Sequence, residues 1–231
     1  MSNYLVFATG NKNKQFEIQN IIQQEMGKLK CLIHLHVKFI DLGDIPEIQS
    51  LHTEEVAVEK AKEAGIRLLQ NTKFMESLGE YQNLFVLVDD TGLYAKTSPV
   101  NKVTYAGKGF PGALIKDFMK GIEGNPCEGM CQMFGGSMAH AQVTIGINNV
   151  ATQNVYTATE SDCGRISITP LYNPSHKSFG WDPCFIPNEV NGDKNNNRSY
   201  DMLTKKEKNE TSMRSKAIIK AFHLVCDVLT S

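Results

Sequence analysis

Residues 84–92 read LFVLVDDTG. Five consecutive apolar residues predict a strand that is buried on both faces, as in the parallel sheets of α/β proteins. We expect Asp89 and Asp90 to end this strand, which places adjacent carboxylates at the sheet edge where α/β proteins bind ligands. Paired carboxylates suit Mg²⁺, whereas Asp-Thr-Gly is equally good chemistry for a turn. Both interpretations of the aspartates remain open at this stage.

The segments before this strand alternate between strand and helix patterns. Residues 4–9 predict a strand, Gly10 and Asn11 a turn, and the apolar recurrence from Lys12 a helix closed by Gly27. The next predictions are a strand over 31–40, with His34 and His36 on one face, and a helix from Thr53 that buries Ala57, Ala61, Ala64 and Leu68.

The pattern after the central strand is less regular. The predictions are surface loops over 71–83 and 97–110, a short helix from Pro111 to Met119, two antiparallel strands over 142–148 and 154–160 around an Asn148-Asn149 turn, a flexible polar loop over 191–199, and a final amphipathic helix marked by Ile218, Phe222, Val225 and Leu229. The stretch 124–138, rich in Gly, Met and Cys, shows no pattern that we can assign. Strands interleaved with helices, followed by a hairpin, predict an α/β fold with a mixed sheet.

Composition argues against several classes of protein. Lys and Arg number 24 and Asp and Glu number 25, and this balance disfavours a protein that coats nucleic acid or an anionic membrane. The sequence has neither a long apolar run nor a signal-peptide pattern. Six scattered cysteines do not resemble a disulfide scaffold. We therefore expect a cytoplasmic protein from a reducing compartment, without nucleic-acid or membrane partners.

The first candidate site is the run Thr9-Gly10-Asn11-Lys12-Asn13-Lys14. A strand ends here, a glycine turns the chain, and a helix begins with two lysines. Such a junction offers backbone N–H groups, the positive end of the helix dipole and ammonium charges to a phosphate. The second glycine and the GK[ST] ending of a P-loop are absent. On the pattern alone, an ordinary turn with solvated lysines is favoured.

Two further candidates lie near the end of the chain. Phe179-Gly180-Trp181-Asp182-Pro183 contains the only tryptophan, and its aromatic rings could stack on a nucleobase or simply fill the core. Lys208, Ser212 and Arg214 offer cations and a planar donor fork, or a solvated helix end. Cys127, Cys131 and His140 are too scattered to suggest zinc, and no G-x-S-x-G elbow exists.

Taken together, these segments resemble the inosine triphosphate pyrophosphatase family, also called the Ham1-like nucleoside triphosphate pyrophosphatases. The matching motifs, in family order, are ATGNKNK (8–14), PEIQ (46–49), Glu59-Lys60-Ala61, VDDTGL (88–93), PGALIKDF (111–118), SFGWDPCFIP (178–187) and KNETSMR (208–214). The resemblance implies one domain over residues 1–231, with a two-lobed α/β fold, a mixed central sheet flanked by helices, and an active site in the cleft between the lobes. It also implies a homodimer.

The implied activity is hydrolysis of non-standard purine nucleoside triphosphates (ITP, dITP and XTP) to the monophosphate and pyrophosphate, which cleanses the nucleotide pool. Carried over by position, the triphosphate would be held by Thr9, Gly10, Asn11, Lys12, Asn13, Lys14 and Lys60, with Thr91 touching the substrate. Glu47 and Asp90 would bind Mg²⁺, or Mn²⁺, which suits the same ligands. Asp90 would also orient or deprotonate the attacking water. The base would lie on Phe179 with Gly180, Trp181 and Asp182 completing its pocket, and Lys208 and Arg214 would read its polar edge.

One position departs from the family pattern. Met213 stands where the family has a histidine between the serine and the arginine of this motif. A thioether has no hydrogen-bond donor, so one contact to the base is lost or replaced. We expect the change to affect selection of the base more than hydrolysis.

Two other functions are compatible with parts of the pattern. A nucleotide-binding regulator without catalysis would not need the retained Glu47, Asp90, Lys14 and Lys60. A house-cleaning hydrolase for modified pyrimidine triphosphates is disfavoured by the FGWDP loop at 179–183.

Overall fold

A computed structural model describes residues 2–25, 35–194 and 196–230. The strands are β1 Ser2–Ala8, β2 Leu35–Ile40, β3 Tyr81–Ala95, β4 Thr97–Ser98, β5 Val103–Thr104, β6 Phe110–Gly112, β7 Met138–Asn149, β8 Val155–Ile166 and β9 Phe185–Pro187. The helices are α1 Lys12–Glu25, α2 Thr53–Gln70, α3 Thr72–Leu78, α4 Ile115–Lys120, α5 Pro126–Phe134, α6 Lys205–Thr211 and α7 Met213–Thr230.

The main sheet is mixed and has the strand order β2-β1-β3-β7-β8-β9, with β6 paired to the far end of β3. β1 is parallel to β2 and β3, whereas β7, β8 and β9 are antiparallel to their neighbours. A separate ribbon joins β4 and β5. This mixed sheet, flanked by helices, confirms the predicted α/β class.

The apolar strands are buried because helices cover both faces of the sheet. Leu5 and Phe7 of β1 belong to the core beneath α1 and α7. Val6, between them, points into a second core beneath α2 and α3. On that side the backbones approach closely, since a Cβ on Gly146 of β7 would collide with the carbonyl oxygen of Ala57 in α2.

The central strand continues through both aspartates, so the prediction that they end it was wrong. β1 pairs with β3 only as far as Phe7, opposite Leu87, and β1 itself ends at Ala8. The other edge of β3 remains paired with β7 as far as Ala95. Asp89 and Asp90 therefore lie where the parallel neighbour stops, which leaves that edge open for α1 and for a ligand.

Two predicted loops contain regular structure. Residues 71–83 hold α3 and the start of β3, because the Asn71 side chain accepts a hydrogen bond from the Phe74 N–H (3.1 Å) and Leu78 is buried. Residues 97–110 hold the β4–β5 ribbon and the first residue of β6.

Helix and strand bounds differ elsewhere. Pro111 lies in β6, and the helix predicted from it begins at Ile115. The unassigned stretch 124–138 contains α5, where Asn125 caps the first turn and Pro126 follows it. The hairpin strands are longer than predicted, and Asn148 pairs with Val155, so the turn comes after Asn149.

Some predictions fall outside the described residues. These are the helix end at Gly27 and the strand residues 31–34, including His34. In the polar segment 191–199, Asn196 is buried and its amide donates to the carbonyl oxygens of Pro187 (3.1 Å) and Arg198 (2.9 Å). Within the described ranges, we find no helix that is both long and apolar enough to cross a bilayer.

Candidate active site

A cavity of about 630 Å³ opens beside the end of β1. Its lining includes the following candidates from the sequence: Asn11, Lys14, Glu47, Lys60, Asp89, Asp90, Thr91, Phe179, Gly180, Trp181, Asp182, Lys208, Ser212, Met213 and Arg214. Three others, Thr9, Gly10 and Lys12, are not part of its lining. Asn13 lies in α1, and its side chain is outside what the structure describes.

The turn between β1 and α1 is held by its own side chains. The Thr9 hydroxyl accepts from the Asn11 N–H (3.2 Å), and the Asn11 side-chain oxygen accepts from the Lys14 N–H (3.3 Å). A Cβ on Gly10 would meet the carboxylate of the exposed Asp41 side chain, which would have to move. Thr9 and Gly10 therefore shape the turn that places Lys14 at the cavity.

Asp89 lies at the centre of a buried charge cluster. Lys14 Nζ is 2.9 Å from its Oδ1, and Arg214 Nε is 3.4 Å from its Oδ2. Burial alone would raise the pKa of Asp89, but Lys14, Arg214 and Lys60 hold it well below its ordinary value. Asp89 is therefore ionised and keeps two cations in place.

Arg214 is tied to this charged end of the cavity. Its guanidinium also pairs with Glu17 (3.1 Å) and donates to the Thr91 hydroxyl (3.3 Å). Burial would lower the pKa of Arg214, yet the carboxylates of Glu17 and Asp89 raise it. To hydrogen-bond the edge of a base, the Arg214 guanidinium would thus have to use N–H groups that also contact Glu17, Asp89 and Thr91.

Asp90 has a different environment from that of its neighbour. It is buried, and Lys60 Nζ lies 3.5 Å from its Oδ1 while bonding Glu47 Oε1 (2.9 Å) and the Asp89 carbonyl oxygen (3.1 Å). Burial raises the pKa of Asp90 to about 7, with help from the negative charges of Glu47 and Asp89 and against the pull of Lys60. A carboxyl group with this pKa can accept or release a proton near neutral pH.

The same carboxyl group fits a divalent cation. Among the described residues, no hydrogen-bond donor reaches the buried Oδ2 of Asp90. Glu47 shares Lys60 with Asp90, so the two carboxylates face one region. Mg²⁺ commonly uses one or two carboxylates together with water and substrate phosphates. The described part of the chain has no cluster of three His, Cys, Asp or Glu side chains that could hold a metal ion.

The opposite end of the cavity is aromatic. The Phe179 ring is 48% exposed, and Trp181 packs edge-on against Phe185 at 5.9 Å between ring centroids. Gly180 between them has φ +53°, which a side chain would disfavour. Its carbonyl oxygen accepts from the Cys127 thiol at 3.4 Å. Phe179 therefore presents exposed apolar surface to a ligand in the cavity.

An ion pair adds polarity to this aromatic end. Lys208 Nζ donates to the carboxylate of Asp182, which is buried. Burial raises the pKa of Asp182, although Lys208 opposes the shift. The pair presents a donor and an acceptor beside Phe179 and Trp181, as recognition of a base requires.

Met213 lines the cavity but is also packed in the core, where it is 4% exposed. Its backbone N–H donates to Asp162 Oδ2 (2.8 Å) at the start of α7. The side chain therefore contributes an apolar surface next to Arg214.

The apolar wall of the cavity was not predicted from the sequence. It comes from α4 and α5, through Ile115, Met119, Pro126 and Cys127. Tyr200 also lines the cavity, and no sequence signal marked it. His140 stacks on Tyr94 (4.7 Å between centroids) and is not in the cavity lining.

Fold and cavity together define an α/β protein with a ligand site at the open end of a parallel strand pair, charged at one end and aromatic at the other. Known proteins share this fold. The Ham1 family profile matches residues 5–224, and the chain belongs to that family. The resemblance noted from the motifs is thereby confirmed.

Relatives match over nearly their whole length. The inosine triphosphate pyrophosphatase of Saccharomyces cerevisiae is 31% identical and covers 94% of this chain and 92% of its own; that of Puccinia graminis f. sp. tritici is 30% identical over 94% and 93%. A HAM1 protein from Coxiella burnetii has the same fold, with a TM-score of 0.64 and 20% identity over 99% of this chain and 98% of its own.

Proposed function

We propose that this protein hydrolyses non-standard purine nucleoside triphosphates, namely ITP, dITP and XTP, to the monophosphate and pyrophosphate, and so cleanses the nucleotide pool. The observation that carries the proposal is one cavity with two lysines and two carboxylates at one end and Phe179, Trp181 and Asp182 at the other. A purine nucleoside triphosphate likewise has a charged end, the triphosphate, and an aromatic end, the base. Membership of the Ham1 family supports the proposal.

In this mechanism the charged end positions the triphosphate. Lys14 and Lys60 are partly buried and are held by carboxylates, so their ammonium groups are oriented before the substrate arrives. Phosphoryl transfer depends mainly on such positioning and on charge neutralisation. The lysines hold phosphate oxygens, while Asn11 and Thr91 line the approach.

Asp90 acts on the attacking water. Its carboxylate accepts a proton as the water oxygen bonds to the α-phosphorus. The bond from that phosphorus to the bridging oxygen breaks, and pyrophosphate leaves. Glu47 and Asp90 are the residues that would hold Mg²⁺, or Mn²⁺. When bound, the cation neutralises phosphate charge and favours ionisation of nearby groups.

The base lies on Phe179 in this proposal. The Lys208–Asp182 pair supplies a donor and an acceptor to its polar edge. A donor near position 6 favours an oxo group over the amino group of adenine, because the wrong partner leaves a buried polar group unpaired. Met213 contributes no donor here.

A panel of ITP, dITP, XTP, GTP, ATP and a modified pyrimidine triphosphate, each with Mg²⁺, tests the proposal. Pyrophosphate and orthophosphate are measured separately, and Asp90→Asn serves as the inactive control. We expect pyrophosphate from ITP, dITP and XTP. Orthophosphate without pyrophosphate would refute the reaction, preference for the pyrimidine would favour the related hydrolase, and tight binding without turnover would favour a regulator.

We further propose that the protein is a cytoplasmic homodimer. The homodimer rests on the family resemblance, and the cytoplasmic location rests on the composition of the sequence. Light scattering during size-exclusion chromatography tests the homodimer, which the mass of one chain, 25.7 kDa, would contradict. Fractionation of the source cells tests the location.

A further inference from the structure

A short 3₁₀ helix, Tyr200–Met202, holds the loop that leads to Phe179. The Asp201 carboxylate accepts from the Asn173 N–H (2.8 Å) and the Ser178 hydroxyl (2.8 Å), and it lies 3.2 Å from His176 Nε2. Asp201 is almost completely buried. One carboxylate thus makes three contacts across residues 173–178, which we call the 173–178 loop, immediately before the exposed aromatic ring.

Packing on the other side does not fix the 173–178 loop. A second cavity of about 620 Å³ separates it from α1 and α6, with Phe16 and Lys205 on the far wall. Phe179 lines both this cavity and the candidate active site. The position of its ring therefore depends on the polar contacts to Asp201 more than on apolar neighbours.

The residue before Asp201 holds the opposite wall of the same site. The Tyr200 hydroxyl donates to Asp162, which also accepts from the Met213 N–H (2.8 Å) and Lys216 Nζ (2.7 Å). The Tyr200 ring lies 6.1 Å from that of Trp181. Two consecutive residues therefore connect the start of α7 with the 173–178 loop.

We propose that Asp201 is a positioning residue that fixes Phe179 for the nucleobase through its contacts with Asn173, His176 and Ser178. The proposal rests on the proposed function in that Phe179 is taken to contact the base. The role proposed for Asp201 concerns only the aromatic end of the cavity, since none of these contacts reaches Lys14, Lys60 or Asp90. Loss of the carboxylate should weaken binding of the base and leave the phosphate end intact.

The test compares Asp201→Asn with Asp227→Asn, a matched change on the exposed side of α7. An amide keeps the shape but loses one acceptor oxygen. For Asp201→Asn we expect the KM for ITP to rise about five- to tenfold while kcat stays within about twofold, as loss of a charge-assisted hydrogen bond predicts. Inhibition by inorganic tripolyphosphate, which has no base, should not change. A rise in both constants, or an unchanged KM, would overturn the proposal.

Fluorescence gives a readout that does not depend on turnover. Trp181 is the only tryptophan, so acrylamide quenching reports on the residues next to Phe179. Asp201→Asn should increase quenching, and Asp227→Asn should not. If wild type fails to hydrolyse ITP, the proposed function fails, and unchanged quenching separately refutes the role of Asp201 in holding the loop. Should Asp201→Asn not fold, Ser178→Ala removes a single contact and should give a smaller change of the same kind; no change would count against the proposal.

Discussion

Replacing Asp90 by asparagine should abolish turnover and yet stabilise the metal-free protein at pH 8. Activity is lost because an amide cannot accept the proton of the attacking water. Stability is gained because, in the wild-type protein at pH 8, the buried carboxylate of Asp90 is ionised in surroundings that disfavour its charge, and the asparagine carries no charge. The folded protein binds the Asp90 proton more tightly than the unfolded chain does, so this group destabilises the fold increasingly as the pH rises from about 4 to 7.

The magnitude follows from the pKa of Asp90. Raising it from 3.8 to about 7 corresponds to about 4 kcal/mol at pH 8, at 1.36 kcal/mol for each pKa unit. A buried amide with an unpaired donor costs about 1–3 kcal/mol of that gain. The attraction of Lys60 is already contained in the pKa of Asp90, so loss of that pair is not counted a second time. The net expectation is about 1–3 kcal/mol, or roughly 2–12 °C in Tm for a domain of this size.

Thermal melts in EDTA at pH 8 and pH 5 measure this effect. The cost of the buried amide is the same at both pH values, so it cancels in the comparison. The advantage of Asp90→Asn over wild type should shrink by about 3 kcal/mol at pH 5, where the wild-type carboxyl group is already protonated in the folded state.

Asp89→Asn is the matched control, because it makes the same change at the adjacent residue and should have the opposite effect. Asp89 has a lowered pKa, so its ionised form stabilises the fold above about pH 4, and this contribution is lost only at lower pH. Its removal should cost about 3–5 kcal/mol at pH 8, since Lys14 and Arg214 lose a partner. If Asp90→Asn destabilises the protein at pH 8 as Asp89→Asn does, or its effect does not change with pH, the reasoning is refuted.

Three further predictions concern the ligand and the packing of the sheet. Lys14→Ala should raise the KM for ITP about tenfold through loss of one charge-assisted contact, and unchanged steady-state constants would show that Lys14 pairs with Asp89 without binding the substrate. Met213→His should increase the preference for ITP over ATP, measured as the ratio of their kcat/KM values, by an amount equivalent to about 1–2 kcal/mol. Arg214→Ala should reduce this preference and should also lower Tm, because Glu17 loses its partner. If neither variant changes the preference, the base is recognised by other residues. Gly146→Ala should destabilise the fold by about 1–3 kcal/mol in denaturant melts, since α2 must move away from the sheet, and wild-type stability would contradict the close approach.

Strands with long apolar runs were predicted well because burial on both faces leaves a continuous signal. The run at 84–88 lies within β3, and the run at 4–9 lies within β1 except for Thr9, since that strand ends at Ala8. The end of β3 was misplaced because acidic residues usually leave a sheet, whereas here one edge of the strand stays paired with β7. Short helices have too few turns for the helical recurrence of apolar residues to be visible in the sequence. The Asn125-Pro126 start of α5 was nevertheless a usable signal.

The motifs also brought most candidate site residues to one cavity, because each motif carries its side chains on a single turn or strand end. Interactions between distant segments were beyond reach. Nothing in the local sequence pairs Glu17 with Arg214 or Tyr200 with Asp162, and both pairs depend on how the helices dock on the sheet. Asp89 and Asp90 are adjacent in the sequence but have different charged partners, and this difference likewise appears only in three dimensions.

The ion pair between Glu17 and Arg214 joins residues 197 positions apart. During synthesis, the N-terminal strands and α2 can begin to pair while α7 has not yet been made. Until α7 docks, the carboxylates of Glu17 and Asp89 lack the guanidinium that balances them, and the cavity lacks the wall that carries Met213. A chain in which α7 has not docked therefore lacks part of the cavity lining and the cation that balances Glu17 and Asp89, so the site is completed only by the last helix of the fold.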